Sequence, residues 1–266
     1  MNRCWRQPLS TTARTWPGCF HFSPTGGGGQ PARPLGGTML EIGLFAGIGW
    51  GVGMLINGLA EGLPRRQVLP RWEDRRPSAW LSWARHGRRP KGRALVVELA
   101  LPLLWALAAA RWGATIRGGL TGLYLSVLAL ATVTDLEGRR IYDAVMLPAI
   151  ALAIVLAPVS PWLGGGAWGA WLTGLGILGF FVGLVLLTRG GLGGGDATLA
   201  AFIGLVTGFP QGLQALAIGI LLAGGASLGL LAARRVTLKT AIPYGPFLAL
   251  GGALILLGLG EPVPGS

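Results

Sequence analysis

Long apolar runs alternate with short polar breaks along this chain. Eight runs stand out, at about residues 40–60, 94–113, 118–134, 144–160, 169–188, 197–209, 213–232 and 243–259. They are continuously apolar and lack the alternation of a membrane β-barrel strand. About 20 such residues in a helix cover the hydrocarbon core of a bilayer. The pattern predicts an all-α fold, a polytopic transmembrane helix bundle of about eight spans. The sixth run, 197–209, is short for a crossing. Before it stands a glycine-rich break, Gly190-Gly191-Leu192-Gly193-Gly194-Gly195, closed by Asp196.

The polar breaks orient the bundle. Ten basic residues fall within 64–93, against the two acids Glu73 and Asp74. Basic loops stay on the cytoplasmic side, so this loop is expected there. Eight spans then put 64–93, 135–143, 189–196 and 234–240 on one side. Together these loops hold 16 of the 22 basic residues, while the opposite side holds Arg111 and Arg117. The remaining four arginines lie in residues 1–38, which carry no acid and include Gly26-Gly27-Gly28-Gly29. That segment is expected to be disordered, or an extension upstream of a natural start at Met39. Residues 39–266 are then the membrane-embedded domain.

Composition agrees. The chain is 52% hydrophobic and 12% charged, where a soluble domain averages about 25% charged. The net charge of +12 sits in loops. It is read as a topology signal facing membrane lipids, not as a nucleic-acid surface. Cys4 and Cys19 make neither a disulfide framework nor a metal-ligand set. With only His21 and His86, zinc-protease and serine-triad chemistries lack their usual imidazoles. No metal and no cofactor are expected.

Two carboxylates remain. Asp196 lies at the mouth of the sixth run, and an acid at membrane depth is a functional candidate. Asp135 lies at the end of the third run, on the same side by the charge count. Taken singly, Asp196 reads as a helix N-cap and Asp135 as an interfacial acid beside Arg139 and Arg140. Taken as a pair, they have a definite chemistry. Two neighbouring carboxylates share a proton; the ionised one takes a proton from water and the other donates to a carbonyl oxygen. Gly193, Gly194 and Gly195 would let an extended substrate strand approach. A different class of reading is a transporter or assembly scaffold that uses Asp135 and Asp196 to bind a proton or cation.

Five segments carry a family resemblance. Gly193-Gly194-Gly195-Asp196 resembles the G-x-G-D motif of membrane-embedded aspartic proteases. The stretch Asp135 to Asp143, the closing Pro243-Tyr244-Gly245-Pro246-Phe247-Leu248-Ala249, Asn57 with Leu63-Pro64-Arg65, and Arg93 to Leu99 resemble segments of the type IV prepilin peptidase family. The resemblance spans about residues 40–260. It implies that Asp135 and Asp196 are the catalytic aspartates. It also implies a prepilin or pilin-like substrate cut at the cytoplasmic face of the inner membrane, just before the substrate's hydrophobic helix. There are departures. Thr198 stands where the family commonly has lysine, and Tyr142 where proline is usual. A third reading therefore keeps the family fold without its activity. Loop 64–93 has no cysteine, so the zinc-supported methyltransferase part of bifunctional members is not matched and N-methylation is not expected from it. Glu137 and Asp143 are weaker candidates that flank the basic pair. Glu98 is expected to neutralise a cation such as Arg93. Trp162, Trp168 and Trp171 read as interface anchors.

Overall fold

A computed structural model of the protein describes residues 37–62, 92–138, 141–160, 166–187, 193–233 and 243–258. Among these, eight α-helices follow one another: α1 Met39–Gly62, α2 Gly92–Trp112, α3 Ile116–Gly138, α4 Asp143–Leu156, α5 Gly166–Leu187, α6 Gly194–Thr207, α7 Gln211–Ala232 and α8 Gly245–Leu256. A 3-10 turn, Ala157–Val159, extends α4. There is no strand among the described residues. Residues 1–36, most of the basic loop 64–93, Arg139, Arg140, Trp162, Arg189 and the loop 234–240 lie outside them.

Five helices, α1, α2, α3, α5 and α7, are long and apolar enough to cross a membrane, while α4, α6 and α8 are shorter apolar helices. Each of the eight apolar runs corresponds to one helix. The short ones differ from the rest in their surroundings. In α6, Ala197 and every residue from Leu199 to Thr207 is buried. Its 14 residues rise about 21 Å, less than the roughly 30 Å hydrocarbon core. A helix enclosed by other helices does not have to match the bilayer, and it is apolar on all sides for the same reason. Phe202, Ile203 and Leu199 pack there against Leu248 of α8 and Met146 of α4. Tyr124 of α3 meets Phe202 edge-on, with ring centroids 5.9 Å apart.

Apolar packing provides no net hydrophobic drive between helices in lipid, so close approach and polar contacts matter more. The α1–α2 pair shows both. Gly49 abuts α2 so tightly that a Cβ there would lie 2.8 Å from the Leu101 carbonyl oxygen. Asn57 Nδ2 donates to the Ala94 carbonyl at 3.2 Å and to Glu98 Oε1 at 3.3 Å. Glu98 is thus engaged by a buried amide from α1; the side chain of Arg93, its expected partner, is not among those described. Trp105 of α2 donates through Nε1 to the Ser126 hydroxyl of α3 at 2.9 Å.

Two tertiary ties set the level of α8 against its neighbours. At one end, Trp112 Nε1 donates to the Leu256 carbonyl at 3.1 Å and Arg111 donates to the Gly258 carbonyl at 3.3 Å. Arg117 lies over the Trp112 ring, 3.4 Å from its centroid. The other end of α8 meets Asp135.

Candidate active site

The charge and motif reading put the end of the third span at residue 134, with Asp135 in the loop that follows. In the structure α3 continues to Gly138, so Asp135 lies one turn inside the helix. Its side chain is buried, with 6% of its surface exposed. A carboxylate at that depth needs hydrogen-bond donors. One comes from α8: the Gly245 amide donates to Asp135 Oδ2 at 3.0 Å.

Asp196 sits in the first turn of α6. The sequence also allowed it to be the N-cap of that helix. The cap position is instead Gly193, in extended backbone with φ −67° and ψ 132°. The Asp196 amide donates to the Gly193 carbonyl at 3.1 Å. Asp196 is thus the third residue of the helix, and its Oδ2 lies back over the cap, 3.3 Å from where a Cβ of Gly193 would stand. It is half-buried, within electrostatic range of Asp135. The two acids are 61 positions apart in the chain and lie on separate helices, α3 and α6.

Gly194 and Gly195, expected in a loop, form the start of α6. Gly195 is pressed against the segment that enters α4: a Cβ there would lie 2.7 Å from Ile141 Cβ and 3.1 Å from the Ile141 carbonyl oxygen. Absence of a side chain is what allows α6 to begin beside Ile141. Gly193 and Gly194 are exposed.

The depth of the pair follows from the packing of α5 on α6. Gly174 of α5 touches Leu205 and Ala201 of α6. Counting residues from that contact, Asp196 stops about 9 Å short of the end of α5 at Leu187. Asp196 thus lies below the end of α5.

The other candidates have different surroundings. Glu137 and Asp143 are exposed. Thr198, at the position of the family's lysine, donates its hydroxyl to the Gly195 carbonyl at 2.9 Å. Tyr142 caps α4 in extended backbone with φ −85°. Trp168 is 72% exposed and stacks edge-on against Trp171, centroids 5.1 Å apart. No group of three or more His, Cys, Asp or Glu side chains suited to a metal ion occurs among the described residues. The residues the sequence did not single out as part of the site are Gly245 and Ile141. Pro243 to Ala249 carried a family signal, but nothing in it indicated a contact with Asp135.

Residues 122–228, from α3 to α7, match the model of the type IV leader peptidase family. The chain is 28% identical over 165 residues to a prepilin leader peptidase/N-methyltransferase of Bacillus subtilis (strain 168), covering 60% of this chain and 64% of the relative. Proteins of the same name from Pseudomonas putida and Stutzerimonas stutzeri are 32% and 30% identical, over 61% of this chain and 57% of each relative. The chain thus spans about three-fifths of the length of these curated relatives. No solved structure matches it.

Proposed function

We propose, from the match of residues 122–228 to the type IV leader peptidase family, that this chain is an aspartic endopeptidase. It removes the leader peptide from prepilins or pilin-like proteins at the cytoplasmic face of the inner membrane. Asp135 and Asp196 are the catalytic pair in this reading. What supports it is that separate helices, α3 and α6, carry the two acids within electrostatic range of each other.

The chemistry needs only this pair and water. Two such acids do not ionise together at low cost, so they hold one proton between them. The ionised carboxylate takes a proton from water as the water oxygen attacks the scissile carbonyl carbon. The protonated acid gives its proton to the carbonyl oxygen, producing a neutral tetrahedral diol. Collapse breaks the C–N bond, returns a proton from a diol hydroxyl through the carboxylates, and protonates the leaving amine. Gly193 and Gly194, at the exposed entrance to α6, admit the extended substrate strand. The basic loops mark the cytoplasmic side, and the pair meets the substrate where its hydrophobic helix begins. Leader cleavage is the activity proposed; loop 64–93 carries no cysteine, so the zinc-supported methyltransferase part of bifunctional members is not matched.

The test is cleavage of a prepilin by membranes containing the chain. Asp135→Asn and Asp196→Asn should each reduce cleavage to background while the protein remains inserted. Wild-type rates in either variant would remove the pair from the mechanism.

A further inference from the structure

We infer that Gly245 is the positioning residue for Asp135, acting through its amide and through the absence of a side chain. The inference rests on the reading of Asp135 and Asp196 as a catalytic pair and names a residue that this pair requires.

An α-helix leaves its first N–H groups without intrahelical partners. In α8 the local accounting is short. Phe247 and Leu248 both donate to the Tyr244 carbonyl, at 3.1 and 3.2 Å. Pro246 has no N–H to give. The first N–H of the helix, that of Gly245, is left to look elsewhere, and it reaches across 110 positions of sequence to Asp135 Oδ2. Pro246 thus stiffens the turn that aims this donor without competing for the carboxylate.

The second half of the argument is space. A Cβ at residue 245 would stand 2.7 Å from Asp135 Oδ2, 3.1 Å from its Cγ and 3.2 Å from its Cβ. A contact of 2.7 Å between a methyl carbon and a carboxylate oxygen is far inside normal packing. The neighbour cannot give way easily, since Asp135 is buried and its backbone is held in α3. Alanine at 245 therefore displaces the carboxylate or the start of α8, and either movement stretches the 3.0 Å hydrogen bond. Misplacing a reacting group by about 1 Å can cost on the order of a hundredfold in rate. Gly252 offers the contrast within the same helix. The three atoms nearest to a Cβ there are side-chain atoms of Ile203, the first at 3.1 Å, two turns along α8 from Gly245.

The experiment uses the full chain reconstituted in lipid vesicles, with a purified prepilin as substrate. Gly245→Ala and Gly252→Ala are compared with wild type for kcat, KM and thermal unfolding. Gly245→Ala should lower kcat about a hundredfold with KM within about threefold. Gly252→Ala should keep kcat and lose only thermal stability. A readout independent of turnover is the infrared carboxyl band of Asp135, assigned by its loss in Asp135→Asn. It should shift in Gly245→Ala and stay in place in Gly252→Ala. An unshifted band, or kcat within threefold of wild type, overturns the role of Gly245. A kcat loss that tracks thermal stability equally in both glycine variants, with no band shift specific to residue 245, overturns it as well. Failure of the wild type to cleave, or full cleavage by Asp135→Asn, counts instead against the catalytic reading, and the infrared band alone then decides Gly245.

Discussion

The two acids of the site are held in opposite ways. Asp135 is buried in the body of α3 and tied to a backbone amide of α8. Asp196 is half-buried in the opening turn of α6, where its amide bonds to Gly193 three residues back. One carboxylate is located by a contact between distant segments; the other rides on the start of its own helix. A paired-acid site needs both a fixed reference and an entrance. Here the α3–α8 side provides the first and the glycine-led mouth of α6 provides the second.

The comparison can be broken most severely by lengthening each acid. Asp135→Glu adds a methylene where Gly245 and the helix walls leave no slack, and cleavage should fall by a hundredfold or more. Asp196→Glu, at the half-exposed mouth, should lose about tenfold. Equal losses in a cleavage assay would mean that the two acids are equally constrained. A smaller effect is expected at the mouth itself. Gly195→Ala forces a methyl against Ile141, and overpacking of this kind costs about 1–3 kcal/mol. The loss should appear as a lower unfolding temperature together with slower cleavage, since Asp196 is the next residue. An unchanged unfolding temperature would show that α6 can shift away from Ile141 freely. The smallest effect belongs to Thr198. Its hydroxyl bonds to the Gly195 carbonyl within α6, so Thr198→Ala should cost about 0.5–1 kcal/mol and leave cleavage within about twofold. A large loss of activity would give Thr198 a part in the chemistry that its contact does not suggest.

Much of the architecture was legible beforehand because it is written in local composition. Eight apolar runs became eight helices, and boundaries shifted by only a few residues. The largest consequence of such a shift was at Asp135. The sequence ended the third span where charge begins, but a helix does not stop at an acid; here it runs on through Leu136 and Glu137 to Gly138. The glycine run misled in a related way. Glycine is a poor helix former in isolation, so Gly194 and Gly195 were assigned to a loop. Packing overrides propensity there, because only a residue without a side chain fits beside Ile141.

The sequence by itself determined the membrane-helix class and the apolar runs that became helices among the described residues, and it proposed the two aspartates as a pair. Hydrophobicity and charge act residue by residue and are visible without coordinates. The tertiary structure decided which acid is buried and which backbone amide meets Asp135. Those properties come from helices that pack across 110 positions of sequence. A hydrogen bond of that span depends on the relative level of α3 and α8; at the far end of α8, Trp112 and Arg111 of α2 bond to the Leu256 and Gly258 carbonyls. No local pattern encodes that level; it emerges only when the whole set of helices is packed.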